Sequence, residues 1–202
     1  MPDLRLEREL IESGTEPVAG IDEAGRGPLA GPVAAAAVIL PPGYRNDLLD
    51  DSKKLTARRR ETLFEEITTD PGICWGLAFM EVPEIDGLNI LRATHAAMGR
   101  AALALEFRPA FCLIDGLDVP RFPLASRGVV KGDGISFSIA AASIIAKVSR
   151  DRRMQELAEE FPVYGFEKHK GYGTKAHLEA LRRHGPCREH RRSFAPVAAL
   201  LE

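Results

Sequence analysis

The stretch Gly20 to Leu40, GIDEAGRGPLAGPVAAAAVIL, decides how the chain is read. It continues a short apolar run, Val18 to Glu23, that reads as a strand finishing on two carboxylates, Asp22 and Glu23. Gly31 to Leu40 follows a turn rich in glycine and proline. Its small and β-branched residues suit a second strand buried on both faces, and the two strands make a hairpin. The turn Gly25-Arg26-Gly27-Pro28-Leu29-Ala30 formally fits the G-x-G-x-x-A dinucleotide fingerprint. That fingerprint works only where a helix starts at the loop and aims its amides at a pyrophosphate. Pro28, Gly31 and Pro32 continue no such helix, and Asp22 and Glu23 would set negative charge beside the phosphates. A Gly-Arg-Gly turn next to two carboxylates instead brings bare backbone and an always-charged side chain against a polyanion. A tight hairpin with an incidental Arg26 is the competing reading.

Outward from this hairpin, Asp51-Ser52 begins a helix through about Ile67, with Ser52 as N-cap. Cys74 to Val82 reads as a third strand, Pro83 to about Leu105 as a helix, Phe111 to Asp115 as a fourth strand and Gly128 to Lys131 as a short fifth. Ser136 to Phe161 is a long helix whose first half, IAAASIIA, has a small-residue surface that lies close against a sheet. Alternating strands and helices indicate an α/β sheet covered by helices on both sides, with an antiparallel hairpin at its start.

Asp22 and Glu23 close the first strand, Asp115 closes the fourth, and Asp133 sits in KGDG between the fifth strand and the long helix. Strand exits in an α/β sheet converge at one edge, so these acids can gather in one patch. Gathered carboxylates repel and raise one another's pKa unless a cation sits among them, and oxygen ligands select a hard ion such as Mg²⁺ or Mn²⁺. Any one of them alone is as well explained as a turn or cap residue. Adjacent strand residues point to opposite faces, so Asp22 and Glu23 cannot both face one ion from a regular strand. Either the turn re-aims Glu23 or its carbonyl contributes.

With 202 residues, 45% hydrophobic and 28% charged, the chain fits one compact domain or a domain with a small appendage, and excludes disorder and fibre. No apolar run approaches the roughly 18 residues a membrane helix needs. The charged N-terminus is unlike an export signal, and three cysteines without C-x-x-C spacing argue against a disulfide framework or a zinc site. A cytoplasmic, soluble protein is expected. The net charge of -2 hides an uneven distribution: Lys147 to Arg192 holds 12 Lys and Arg against 7 Asp and Glu. Such a block suits a surface that meets phosphates, or an ordinary solvated helical face.

These residues carry a family resemblance. The chain resembles the type 2 ribonuclease H family of bacteria in GIDEAGRGPLAGPVAAAAVIL, DSKKL (Asp51 to Leu55), LIDG (Leu113 to Gly116), KGDGISFSIAAASIIAKVSRDRRM (Lys131 to Met154), HKGYGTKAHLEAL (His169 to Leu181) and HRRSFAPV (His190 to Val197). The stretches span nearly the whole chain in the family's order. A departure falls after Gly116, where the family usually has a polar residue and this chain has Leu117-Asp118.

The resemblance implies a ribonuclease H-like fold, a five-stranded mixed sheet flanked by helices, with residues 1–165 as the catalytic domain and 166–202 as a basic helical segment packed on it. It implies an endoribonuclease that hydrolyses the RNA strand of RNA/DNA hybrids and incises 5′ to ribonucleotides embedded in duplex DNA, leaving 3′-hydroxyl and 5′-phosphate ends. By motif match Asp22, Glu23, Asp115 and Asp133 are the catalytic residues and bind the metal, Mg²⁺ or Mn²⁺. Two ions about 4 Å apart are the expected complement. Gly25, Arg26 and Gly27 sense the ribose 2′-hydroxyl, and Tyr172 helps read the RNA-to-DNA junction, its ring flanked by Gly171 and Gly173. Lys53, Lys54, Lys147 and the basic C-terminal block are expected to track phosphates, and Ser143 either contacts a phosphate or packs. No histidine is assigned a role. The expected partners are RNA/DNA hybrid and ribonucleotide-containing duplex DNA, bound by a monomer. The ending FAPVAALLE has no obvious aromatic clamp-binding peptide. Two other functions compete: a nucleic-acid-binding protein of this fold without catalysis, and a junction-type nuclease, which has no need of a 2′-hydroxyl sensor.

Overall fold

A computed structural model describes residues 2–49 and 52–201, without the side chain of Lys54. Strands β1 (Val18–Ala24), β2 (Val33–Ile39), β3 (Cys74–Met80), β4 (Phe111–Asp115) and β5 (Ser126–Val129) form one sheet in the order β3-β2-β1-β4-β5. β2 runs antiparallel to both β1 and β3, whereas β1, β4 and β5 are mutually parallel neighbours. The helices are α1 (Arg5–Glu12), α2 (Ala57–Thr69), α3 (Val82–Leu88), α4 (Ile90–Leu103), α5 (Phe137–Glu160), α6 (Phe166–His169), α7 (Lys175–His184) and α8 (Ala195–Ala198). The mixed five-stranded sheet, with its opening hairpin, is the one the sequence predicts. No helix among the described residues is long and apolar enough to cross a membrane.

The alanine run explains the layering. On β2, Val33, Ala35 and Ala37 pack in the cluster that holds Ala93, Ala97 and Ala101 of α4. Ala36 and Val38 join Ala140 and Ile144 of α5 on the other face. Period-two alternation thus serves two helical layers at once, and small side chains let both come close. On β1, a Cβ at Gly20 would lie 2.2 Å from the backbone nitrogen of Ile139, so the strand seats the first turn of α5 on bare backbone. That turn is capped by Ser136, which accepts from the Ile139 amide, and by Glu7 of α1. The Glu7 carboxylate accepts from the hydroxyls of Ser136 and Ser138 and from the Ser138 amide, placing negative charge at the helix N-terminus.

Several boundaries differ from expectation. The helix expected from Asp51-Ser52 begins later: Asp51 lies outside the described residues, Ser52–Lys54 is a 3₁₀ turn, and Thr56, not Ser52, caps α2 by accepting from the Arg59 amide. The helix expected over Pro83 to Leu105 is broken at Asn89, whose φ of 72° ends α3 while its side chain caps α4 through the Arg92 amide. At ψ 161° this backbone lies outside the αL well that asparagine favours, and the Asn89 side chain supplies the cap oxygen, which periodicity alone does not reveal. The fifth strand lies two residues earlier than expected, because Lys131 at φ 60° already turns into the 3₁₀ segment Gly132–Gly134. Helix α1 has no counterpart in the sequence reading, although Leu6, Leu10 and Ile11 line its inner face and pack near Val18, Leu113 and Ile139, and Glu7 is buried beside them.

Gly20→Ala is expected to destabilise the protein by about 3 kcal/mol in urea unfolding, because the added methyl meets backbone that cannot move aside without lifting α5.

Candidate active site

Parity along the strands decides which acids meet. Gly20 of β1 faces α5, so Asp22, two residues on, faces the same way. β4 lies level with β1 through the pairs Gly20↔Leu113 and Ile21↔Ile114. Leu113 packs against Ile139 of α5, which sets Asp115 on that face too. Asp133 arrives from the 3₁₀ turn that precedes α5. Carboxylate oxygens of Asp22, Asp115 and Asp133 all lie within 4.8 Å of one another. Asp22 and Asp133 are buried and Asp115 is half-buried.

The electrostatics follow from that crowding. Burial, then the charges of Glu23 and Asp115, holds the Asp22 carboxyl well above the usual carboxylate range. Burial also raises Asp115, against the lowering effect of its hydrogen bonds from the Gly132 and Asp133 amides. The Gly132 amide lies 2.7 Å from Asp115 Oδ1, and the Glu23 amide 2.7 Å from Asp22 Oδ1. Lys53 Nζ stands 3.6 Å from Asp133 Oδ2. Glu23 has the opposite parity and lies outside the three-acid group; its Oε1 accepts from Arg26 at 3.2 Å. It does line the same cleft of about 360 Å³, with Asp22, Asp115, Gly25, Arg26, Gly27, Lys53, Lys147 and Tyr172.

The Gly-Arg-Gly turn is held from behind by two buried arginines. Arg191 is fully buried, and its guanidinium donates to the carbonyls of Gly25, Arg26, Pro28, Gly31 and Pro32 at 2.6 to 3.2 Å. Arg150, 1% exposed, donates to the carbonyls of Ala30, Pro32 and Lys170. Gly25 has φ 97°, and a Cβ there would fall 1.9 Å from Arg150 Nε, so glycine is required both for the turn and for the arginine beneath it. Burial lowers Arg191 to about 9, aided by the charge of Arg150, and lowers Arg150 to about 10. Both stay cationic at neutral pH.

The basic block is therefore not uniformly a phosphate-tracking surface: Arg150 and Arg191 point inward, and their scaffolding role is absent from the sequence reading. Contiguous carbonyls with unmet acceptors in a turn short of ladder partners were the available signal. Tyr172 is 48% exposed, with its ring 3.5 Å from where a Gly27 Cβ would stand. Lys147 lines the cleft, paired with Asp151 at 2.7 Å. Ser143 is not brought to the cleft: it is buried, and its hydroxyl donates to the Ala140 carbonyl at 2.9 Å, a packing position within α5. The side chain of Lys54 lies outside the described residues.

Buried acids at the exits of an α/β sheet, in a cleft rimmed by Arg26, Lys53 and Lys147, are the arrangement of a nuclease. Comparison with known proteins agrees. The sequence profile of the family described as Ribonuclease HII matches residues 19–197. Ribonuclease HII of Desulfitobacterium hafniense (strain DSM 10664 / DCB-2) is 55% identical over 199 residues, covering 98% of this chain and 76% of that protein. The ribonuclease H2 structure from Pyrococcus horikoshii OT3 aligns with a TM-score of 0.75 at 25% identity, over 91% of this chain and 96% of that one. RNase HII in the PCNA:RNase HII complex from Archaeoglobus fulgidus aligns with a TM-score of 0.73 at 28% identity, over 88% and 94%. The chain belongs to the ribonuclease HII family, and it is a ribonuclease.

Two outcomes are expected. Asp22→Asn keeps the acceptor for the Glu23 amide and removes a crowded charge, so the metal-free variant should be more stable than the parent by about 1 kcal/mol at pH 8. Because the folded-state pKa is raised, the parent loses stability as pH climbs from the ordinary carboxylate value. The gain should therefore vanish below about pH 4 in thermal unfolding. Arg191→Lys, with one nitrogen in place of a planar fork, should cost about 3 kcal/mol by chemical denaturation.

Proposed function

We propose that this ribonuclease hydrolyses the RNA strand of RNA/DNA hybrids and incises 5′ to single ribonucleotides embedded in duplex DNA, leaving 3′-hydroxyl and 5′-phosphate ends. The observation that carries the reading is that carboxylate oxygens of Asp22, Asp115 and Asp133 lie within 4.8 Å of one another, with Asp22 and Asp115 lining the cleft that Gly25, Arg26, Gly27 and Tyr172 also line. The donor set fits Mg²⁺ or Mn²⁺: it is all oxygen, and the raised Asp22 and Asp115 mark a deficit of positive charge that a divalent cation relieves. Asp22, Asp115 and Asp133 would hold the metal, with Glu23 completing the set for a second ion. Bound divalent ions supply Lewis-acid polarisation of the scissile phosphate and lower the pKa of an attacking water.

The chain's own residues do the rest. The sheet fixes the carboxylates before substrate arrives, so little reorganisation accompanies binding. Lys53 and Lys147 receive phosphates at the cleft rim without sequence readout, and Arg26, tethered to Glu23, adds an always-charged donor. With the carbonyls of Gly25 and Arg26 engaged by Arg191, the amides of the turn are the groups that donate to a ribose 2′-hydroxyl, the feature by which RNA differs from DNA on the backbone. Tyr172 offers an exposed ring for stacking on the sugar or base at the junction. The catalytic domain spans 1–165 with 166–202 packed on it, and the enzyme works as a cytoplasmic monomer.

Cleavage of a DNA duplex carrying one ribonucleotide tests this reading. Mg²⁺ or Mn²⁺ should yield a cut 5′ to the ribonucleotide, chelator should abolish it, and an all-DNA duplex should stay intact; equal cutting of both duplexes overturns it. Asp133→Asn should bring turnover to background while sparing binding in a mobility-shift assay. Tyr172→Ala should slow the single-ribonucleotide cut about tenfold, and long-hybrid cleavage by much less.

A further inference from the structure

Behind the cleft, buried imidazoles link the residue that holds the Gly-Arg-Gly turn to the residue whose ring faces it. His177 of α7 and His190 are both fully buried. The Cys187 amide donates to His190 Nδ1 at 3.0 Å, so that nitrogen carries a lone pair and the neutral ring has its proton on Nε2. His190 Nε2 lies 3.1 Å from His177 Nε2, which must accept. The His177 proton is therefore on Nδ1, and it donates to the Tyr172 carbonyl at 2.9 Å. The backbone at the two ends dictates both tautomers, and the pair has one self-consistent arrangement.

Its ends are what give the pair a function. His190 precedes Arg191, the arginine that gathers the carbonyls of Gly25 and Arg26. Arg191 N donates to Leu29 O, and Leu29 N donates to Gly171 O, so the turn is hydrogen-bonded to both segments. The Tyr172 carbonyl accepts two hydrogen bonds, from His177 and from the Thr174 amide, while the Tyr172 amide donates to His169 O. Phe166 packs edge-on against His177, and the His169 ring stacks on it at 4.4 Å between centroids. Burial keeps both rings neutral, pushing His190 down to about 4 with His177 as the second cause.

We propose that His177 and His190 are positioning residues for substrate selection: they hold Tyr172 in register with the Gly-Arg-Gly turn, so their loss degrades junction reading more than phosphodiester hydrolysis. This rests on the proposed role of Tyr172. Neither histidine touches substrate.

The test compares kcat/KM on duplex DNA with one ribonucleotide to that on a long RNA/DNA hybrid, in one buffer, so that effects on chemistry cancel in the ratio. His177→Phe keeps the packing and removes both hydrogen bonds; it should lower the ratio about three- to tenfold, the worth of one lost bond. His177→Asn restores a donor where Nδ1 stood and should recover most of the ratio. A ratio unchanged in His177→Phe but lowered in Tyr172→Ala overturns the positioning role alone; a ratio unchanged in both overturns the Tyr172 reading and this inference with it. Nitrogen-15 NMR of the parent protein gives a readout independent of activity and of variant folding. His177 should be protonated on Nδ1 and His190 on Nε2, and the reverse assignment for His177 refutes the relay.

Discussion

Arg191 is the constraint on which the site depends. A turn of eight residues between two buried strands exposes carbonyls that no sheet ladder satisfies, and buried acceptors left unmet would cost more than the turn could otherwise recover. One guanidinium, with donors fanned in a plane, meets five of them, and Arg150 meets others from the adjoining side. Neither charge is there to attract substrate. Each converts a glycine- and proline-rich segment into a rigid edge, and the price is two cations held in a poorly solvating interior.

That rigidity matters because two of the acids, Asp22 and Glu23, come from the strand that leads into the turn. β1 delivers Asp22 to one face and Glu23 to the other, then runs straight into Gly25. Any slackness in the turn would be felt at Glu23, whose carboxylate is tied to Arg26. Asp22 and the Gly-Arg-Gly turn are thereby set at a fixed offset along one strand and its exit, with α5 behind both.

The sequence made the sheet readable because its cues were local: an alanine run with strand length, a Gly/Pro turn, and acids falling at strand ends. Parity sets Asp22 and Glu23 on opposite faces, and Glu23, tied to Arg26, stands outside the three-acid group. What stayed unreadable depends on contacts far apart in sequence. Asn89 gives no hint that it will adopt a positive φ between two helices, and Glu7 looks like one more surface charge until Ser136 and Ser138 meet it. Arg150 and Arg191 count toward a basic block, and His177 and His190 carry no assigned role, because composition records charge and not direction. Ser143 lies in the same motif as Lys147 but points into the helix packing, a difference that only the face of α5 decides.

The level pairing of β1 with parallel β4 has a geometric corollary. Neighbouring strands are spaced about 4.8 Å apart by their hydrogen bonds, so the bite between Asp22 and Asp115 is set by main chain and is insensitive to mutation of the residues around it. Any change in the spacing of the three acids must then fall to the short Gly132–Gly134 turn that presents Asp133, where a shift of one residue moves a carboxylate without disturbing the scaffold.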